Sequence, residues 1–396
     1  MLFRSGSIHR ADETRLNLSA LTHADAAETA VLLKEMPELV TVDLGSDGLW
    51  SGSEEGGTYT VPADIPESDR TALSAPAAAE RDLTWEDIRL LQEAAPGAAV
   101  CFRFSLFGKS FTTLDEEMNF HHVTMEDEGA AVREVLPCMT HCRVLDMDFS
   151  GVSSESMAQI RDDYPEMEVI WRIWFGNDCS VRTDTERILA SNLNHVLTDD
   201  NTQDLKYCTK LRLLDIGHNS YLTDFGFLEH MPDLEVAILG VTGMKDLHWL
   251  AQCTKLEYLE LNTLYGAQDA DLAPLENLTA LQHLNLCRLG HVKHWEVLRN
   301  MTGLRRLYFG RYTWLPDGAR EELEELFPDT EINWTLETGC DGPWRFDETG
   351  PGGYAERYAL LREQFEYSNY TNVSSSWYND PLYYREGETH YRPWMW

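Results

Sequence analysis

Positively charged residues are scarce in this sequence. Its 396 residues include 32 lysines and arginines against 67 aspartates and glutamates, which gives a formal net charge of −35. An excess of this size repels the phosphate backbone of nucleic acids and the anionic surface of membranes, so we expect no nucleic-acid binding. The charge leaves cationic and neutral partners open, and solubility alone is the simpler explanation for it.

The sequence also lacks a long apolar run and a recognisable leader. No stretch reaches the roughly 20 apolar residues that a membrane-spanning helix needs. The N-terminal MLFRSGSIHRADETRLNLS has no apolar centre of the kind found in signal peptides. Taken literally, the sequence predicts a cytoplasmic protein. Residues 13–18 already look like a repeat strand, however. If the natural start lies upstream, we expect a secreted or cell-surface protein instead.

Motifs that mark enzymes are missing as well. The sequence has no G-x-S-x-G, no phosphate-binding G-x-x-x-x-G-K-S/T and no G-x-G-x-x-G after a strand. We therefore expect no enzymatic activity and no cofactor. Cys138, His141 and Cys142 lie close together, but no second ligand pair follows at zinc-finger spacing, so we expect no metal site.

The cysteines do not form the pattern of a disulfide framework. Cys208 and Cys253 occupy a position that leucine or methionine fills in related segments of the chain. Cysteine there acts as a small apolar side chain. We expect free and mostly buried thiols.

What the sequence does contain is one pattern that occurs five times between Leu205 and Phe309. Each copy reads L-x-x-Ω-x-x-L-x-x-Φ-x-Φ, where Ω is Leu, Met or Cys and Φ is apolar. The first leucines of the copies lie 23, 22, 25 and 23 residues apart, at Leu205, Leu228, Leu250, Leu275 and Leu298. A fixed period of this length predicts a solenoid, in which each unit buries its apolar side against its neighbours.

Each copy combines a helical segment with a short strand. The L-x-x-L-x-L end predicts a strand, and the preceding half has helical spacing. Longer helix–proline–strand units stand before and after the array, with Pro96, Pro165 and Pro328 ending their helices. The predicted domains are the longer units at 1–175 with a flexible insertion at about 45–81, an irregular inserted segment at 176–204, the short-repeat array at 205–334 and an aromatic-rich cap or tail at 335–396.

The five copies resemble leucine-rich repeats. Their D-L-x-x-L-x-x-C/L-T-x-L-x-x-L-x-L form is similar to the internalin-like bacterial subtype, and the array resembles leucine-rich-repeat proteins of gut Firmicutes. The resemblance implies an α/β solenoid with a concave parallel sheet, convex helices and a partner-binding role. One departure concerns the asparagine that often follows the strand. That place holds Asn219 once, and otherwise Thr242, Leu264, Leu289 and Tyr312, so we expect less uniform turns.

Side chains that alternate with the buried leucines are predicted to face solvent on the concave side. The candidate binding residues are Tyr258, Glu260, His283, Asn285, Arg306, Tyr308 and Asp215. Tyrosine and arginine are favoured at the energetic centres of protein interfaces. We expect these residues to bind a protein or peptide, and a cationic one suits the charge of the chain. The alternative is that they are ordinary solvated strand residues.

Aromatic residues crowd the C-terminal segment. A helix is predicted over 354–365, with Tyr358, Leu361 and Phe365 on one face. We expect this segment to cap the apolar end of the solenoid. The alternative function is carbohydrate or cell-envelope binding through an aromatic platform in the tail. The candidate platform residues are Trp377, Tyr378, Tyr383 and Tyr384.

Overall fold

The protein consists of two compact units. A computed structural model describes residues 9–46, 82–176, 179–191, 197–267, 269–337 and 342–365. We call residues 1–171 unit 1 and residues 172–396 unit 2. Nearly all of the predicted insertion at about 45–81, and the tail beyond residue 365, lie outside the described residues.

Most strands of both units are only three or four residues long. The described strands of unit 1 are β1 (Arg15–Asn17), β2 (Thr41–Ser46), β3 (Ala99–Leu106), β4 (Lys109–Thr112), β5 (Glu117–Asn119), β6 (Val144–Asp146) and β7 (Glu168–Ile170). Those of unit 2 are β8 (Arg172–Phe175), β9 (Cys179–Arg182), β10 (Arg187–Leu189), β11 (Leu213–Asp215), β12 (Val236–Ile238), β13 (Tyr258–Glu260), β14 (Asp269–Asp271), β15 (His283–Asn285), β16 (Gly290–Lys293), β17 (Arg306–Tyr308), β18 (Thr313–Trp314) and β19 (Glu331–Asn333).

Helices differ in kind between the units. The described α-helices are α1 (His23–Leu33), α2 (Trp85–Ala94), α3 (Ala130–Val135), α4 (Ser154–Asp163), α5 (Ala319–Leu326) and α6 (Glu356–Gln364). The described 3-10 helices are Leu136–Cys138, Gln203–Tyr207, Gly226–His230, His248–Gln252, Ala273–Leu275, Trp295–Asn300, Gly342–Trp344 and Pro351–Gly353. In unit 2 the short repeats therefore use 3-10 turns where unit 1 uses α-helices.

A seven-stranded parallel sheet forms the main layer of unit 2. Its strand order is β10-β11-β12-β13-β15-β17-β19. The middle residues of successive strands are in register, and Leu259, Leu284 and Leu307 are fully buried. The first leucines of the copies, such as Leu228 and Leu250, are buried in the 3-10 helices. This is a leucine-rich-repeat solenoid, which confirms the predicted fold class.

The turns after the strands are fastened by short polar side chains. Asp215 and Asn285 end their strands, and each accepts a hydrogen bond from the backbone N–H two residues further on. The side chain of Asn219 donates to the carbonyls of Ala190 and Ile216. Such Asx contacts stabilise a turn locally. They explain how the turns form although asparagine is mostly absent from its usual place.

A residue in the left-handed conformation lies three positions after the end of each of four neighbouring strands, β11, β12, β13 and β15. The φ angles are +61° at His218, +63° at Val241, +58° at Thr263 and +61° at Arg288. None of these residues is glycine, and this conformation costs an L-residue about 1–2 kcal/mol. Backbone bonds between repeats hold it, because the N–H groups of His218, Val241 and Thr263 each donate to a carbonyl of the next repeat.

Unit 1 contains two shorter sheets. Their orders are β1-β2-β3-β4 and β5-β6-β7, and every pairing is parallel except the hairpin between β3 and β4. Polar side chains cap two of the helices of unit 1. Thr84 forms a capping box with Asp87 at the start of α2, and Ser153 accepts from the N–H of Ser156 at the start of α4.

The described cysteines are free thiols, as predicted. Six of them are buried and Cys142 is half-buried. Burial raises the pKa of Cys138 and Cys142 to about 11 and that of Cys253 to about 12. These thiols are therefore protonated at neutral pH and are poor nucleophiles.

Candidate functional site

The sheet of unit 2 brings six of the seven predicted site residues together. Tyr258 pairs in register with His283, and His283 pairs with Arg306. A second, parallel row lies two residues further along the same strands and contains Glu260, Asn285 and Tyr308. Asp215 lies in that row too, two strands away on β11. The predicted alignment of the two rows is therefore confirmed.

The prediction that these side chains face solvent is wrong. Tyr258, Glu260, Asn285 and Tyr308 are 0% exposed, as is Asp215. Residues 342–365, which we call the cap segment, cover Tyr258, Glu260 and Tyr308, because Trp344 packs on both tyrosine rings and donates a hydrogen bond to Glu260. Because this segment follows the repeats in the chain and shares no period with them, nothing in the repeat pattern indicates that it lies on the strands.

The cap segment contributes its own side chains to a buried cluster on the concave face. Tyr358, Leu361 and Phe365 of α6 form one buried face, as the sequence predicts. They pack in one cluster with Val236 and Ile238 of strand β12. The described part of the cap therefore lies on the concave face of the sheet, where it covers apolar side chains. That this part of the chain also covers the end of the last repeat stays a prediction, since residues 366–396 lie outside the described residues.

Glu260 is the polar centre of this cluster. Its carboxylate accepts hydrogen bonds from Trp344 Nε1 at 2.7 Å, from an Arg345 guanidinium nitrogen at 2.6 Å and from the Tyr258 hydroxyl at 2.5 Å. Burial and the adjacent carboxylate raise the pKa of Tyr258 well above its usual value, so its hydroxyl remains a donor. Three donors compensate a buried charge that would otherwise be costly. We call Tyr258, Glu260, Trp344 and Arg345 the Glu260 cluster.

Arg306 of β17 also binds the cap segment. Its guanidinium donates to the carbonyl of Trp344 at 3.0 Å and to that of Pro343, and it lies 4.9 Å from the centre of the Trp344 ring. It also donates to Glu331 at 3.0 Å and to the Tyr308 hydroxyl at 2.8 Å. A cation over an aromatic face adds to these hydrogen bonds. Arg306 therefore acts here as a clamp on the cap segment.

Asn285 and Asp215 have structural roles. Both side chains are engaged by the turn after their own strand, as described above. Sequence reasoning placed them in the binding patch because they share a row with Glu260. It missed Trp344 and Arg345, which lie about 85 residues beyond Glu260 and carry no spacing signal. Only the predicted helix with Tyr358, Leu361 and Phe365 on one face indicated that this part of the chain packs against an apolar surface.

His283 lies where the buried cluster meets a cleft. It is 7% exposed, and its Nδ1 has no hydrogen-bond partner among the described residues. Burial lowers its pKa to about 3, and the charges of Arg306, Arg357 and Arg305 contribute in the same direction. The imidazole is therefore neutral at physiological pH.

The cleft opens between the starts of the central strands and the cap segment, and we call it the rim cleft. Its volume is about 1240 Å³. One wall carries residues at the starts of the strands, namely Glu235, Glu257, Gln282, His283, Arg305, Arg306 and Glu331. The other wall belongs to the cap segment and includes Phe346, Asp347, Glu348, Glu356, Ala359, Leu360 and Glu363. Concave openings are the usual places for ligands.

Within the described ranges, no three His, Cys, Asp or Glu side chains are grouped so that they could hold a metal ion. The described helices also include none with the length and apolar character needed to cross a membrane. The candidate platform residues of the tail lie outside the described residues, so glycan binding there stays a prediction.

Three of the solved structures that match this chain are bacterial leucine-rich-repeat proteins. An internalin of Listeria monocytogenes is 14% identical, with 77% of this chain and 76% of that one covered at a TM-score of 0.35. Internalin C2 of the same organism is 13% identical, with 59% and 87% covered at 0.28. A leucine-rich-repeat protein of Leptospira interrogans is 13% identical, with 76% and 91% covered at 0.31. No protein-family model and no curated protein sequence matches the chain. The fold class therefore rests on the repeat and sheet of this chain itself.

Proposed function

We propose that this protein is a non-enzymatic recognition module that binds a protein or peptide on the concave side of unit 2. The rim cleft is the open part of that side and the place where the partner lies. His283 and Arg306 border it directly. Tyr258, Glu260 and Tyr308 contribute indirectly, because they contact Trp344 of the cap segment, which forms the second wall of the cleft.

The composition of the rim cleft carries this proposal. Leu360 and Phe346 lie in it with 46% and 38% of their surface exposed, and charged side chains surround them. Protein-binding surfaces commonly combine an apolar centre with a polar rim. Aromatic side chains such as Phe346 are enriched at these surfaces.

The cap segment gives a second argument, since it is itself a peptide bound to the concave face. Trp344 and Arg345 enter the sheet surface as aromatic and cationic anchors of the kind that dominate interfaces. A face that accommodates one such segment has the side chains to accommodate another beside it. This supports a peptide partner over a small molecule.

The test is selection of random peptides displayed on phage against the immobilised protein. We expect clones that bind the native protein and lose at least about tenfold in binding to the Leu360→Glu variant, because a charge then occupies the apolar centre. The matched control is Leu326→Glu, which changes a leucine of α5 that is 43% exposed and does not line the cleft.

Two results would count against the proposal. Selection that yields no clone above the background of an unrelated protein would remove peptide recognition. Clones that bind the native protein and both variants equally would place recognition elsewhere on the chain. Circular dichroism of both variants, matching that of the native protein, shows that the fold is retained in the comparison.

A further inference from the structure

Helix α6 shows two distinct faces. Tyr358 and Leu361 point into the buried cluster, whereas Glu356, Leu360 and Glu363 line the rim cleft. Residues at positions i, i+4 and i+7 lie on one side of a helix. The open face therefore presents an exposed leucine between two glutamates that are about 10 Å apart along the axis, at 1.5 Å per residue.

Neither Glu356 nor Glu363 makes an ion pair within the part of the chain that the structure describes. On the wall formed by the strands, Glu235 and Glu257 add carboxylates to the same cleft, and Arg306 is already engaged by Trp344 and Glu331.

The lining as a whole is acidic. It contains seven carboxylates, Glu235, Glu257, Glu331, Asp347, Glu348, Glu356 and Glu363, against three guanidiniums, Arg305, Arg306 and Arg357. A cleft lined by one sign of charge concentrates ligands of the opposite sign and repels those of its own. The charge favours a basic partner over an acidic one.

His283 is an independent sign that a ligand completes this cleft. More than nine-tenths of it is buried, its ring borders the cleft, and its Nδ1 finds no partner among the described residues. A buried polar atom without a hydrogen bond is costly and uncommon in a finished structure. A polar partner bound in the cleft lies next to this residue.

We propose that the rim cleft recognises a basic segment of a protein, with an apolar side chain on Leu360 and two lysines or arginines about 10 Å apart that pair with Glu356 and Glu363. This proposal rests on the proposed function and adds the chemistry of the partner to it. In a helical partner the two basic residues stand seven positions apart, with the apolar residue between them on the same face.

The experiment uses a fluorescein-labelled, alanine-based peptide of about 16 residues, a length at which such sequences begin to form helix. It carries two lysines seven positions apart and a leucine between them on the same face. Two control peptides have glutamates in place of the lysines, or the same lysines moved to opposite faces. Binding to the full chain is measured by fluorescence anisotropy at about 0.05 M and about 0.3 M salt, because screening separates the ionic contribution.

The variant is Glu356→Lys/Glu363→Lys. Its matched control is Glu321→Lys/Glu325→Lys, which makes the same charge change in the first and last turns of α5, away from the cleft. We expect the lysine peptide to bind the native protein and the α5 variant, and to bind the α6 variant at least about tenfold more weakly, since each attraction becomes a repulsion. The glutamate peptide should show the reverse preference.

Equal binding of the lysine and glutamate peptides to the native protein would overturn the proposal, as would equal weakening by the α5 and α6 variants. Binding that ignores the lysine spacing would overturn the two-point contact with α6. Failure here is separable from failure of the proposed function. Displayed clones that depend on Leu360 but show no excess of basic residues leave peptide recognition standing and remove the basic partner.

Discussion

The two units use the same kind of short parallel strand but differ in how far their sheets extend. Unit 2 aligns seven strands in one sheet, whereas unit 1 divides into sheets of four and three. The copies in unit 2 follow each other every 22 to 25 residues, so their strands stack without interruption. In unit 1 the first sheet ends at the antiparallel hairpin of β3 and β4. Regular spacing in the sequence therefore produces a long continuous face.

A long face with apolar side chains requires cover. Val236, Ile238 and Tyr258 lie on the concave face of unit 2 and would be exposed without the cap segment. The cap segment makes this face the inner surface of a second small core. Unit 2 thus depends on polar contacts made at long sequence separation, such as that between Glu260 and Arg345. The substitutions below test whether the two units really differ in this respect.

The largest effect is expected for Arg345→Met, which leaves the Glu260 carboxylate buried without its counter-charge. Breaking a buried pair in this way costs about 3–5 kcal/mol. Amide hydrogen exchange read by mass spectrometry should show this loss in β13, β15, β17 and the cap segment, and no change in unit 1. Adding Glu260→Gln removes the orphaned charge and should restore about half of the loss. Equal loss in both units would contradict the dependence proposed for unit 2.

A second prediction concerns pH, because one histidine in each unit responds with opposite sign. The pKa of His283 is lowered to about 3 from its ordinary value of 6.5. Between these two pH values the imidazole is protonated in the unfolded chain but neutral in the folded protein. The contribution of His283 to the free energy of unfolding is fully present above pH 6.5. It is lost as the pH falls toward 3, by up to about 1.4 kcal/mol per pH unit. The pKa of His23 is raised by its hydrogen bond to Asp87, so its contribution is present below the ordinary pKa and lost as the pH rises.

Urea unfolding followed by circular dichroism over pH 5–7 checks both signs. Between these limits, the stability of the native protein relative to His283→Gln should fall by about 2 kcal/mol toward the acidic end. Relative to His23→Gln, it should rise toward the acidic end. Parallel curves for His283→Gln and the native protein would show that this imidazole titrates normally in the folded state.

The smallest effect is expected in unit 1 for Thr84→Ala. This change removes the capping box at the start of α2 and should cost about 1 kcal/mol. Thr22→Ala is the control, since Thr22 precedes α1 without bonding a backbone N–H of that helix. Hydrogen exchange should speed up in α2 for the first variant, change little for the second, and leave unit 2 unaltered in both. A loss that spreads to unit 2 would mean that the two units unfold together.

The sequence was sufficient for the features that repeat. The alignment of Tyr258, His283 and Arg306 across three strands follows from the period alone, as does the burial of the leucines between them. The period says nothing about what covers a face. Trp344 and Arg345 contact Glu260 although several repeats separate them from it in the sequence. Contacts of that kind depend on how the folded segments pack and not on a local sequence pattern.

The left-handed residues after the strands show how firmly the stacked turns dictate backbone shape. Val241 and Thr263 are β-branched and disfavour positive φ, yet they adopt the same conformation as His218 and Arg288. Four unrelated side chains fit there because the main chain of the neighbouring turn, and not the residue itself, sets the angle. The position is thus a ready target for engineering. Glycine or asparagine placed there would relieve local strain without altering either the sheet or the surface that meets a partner.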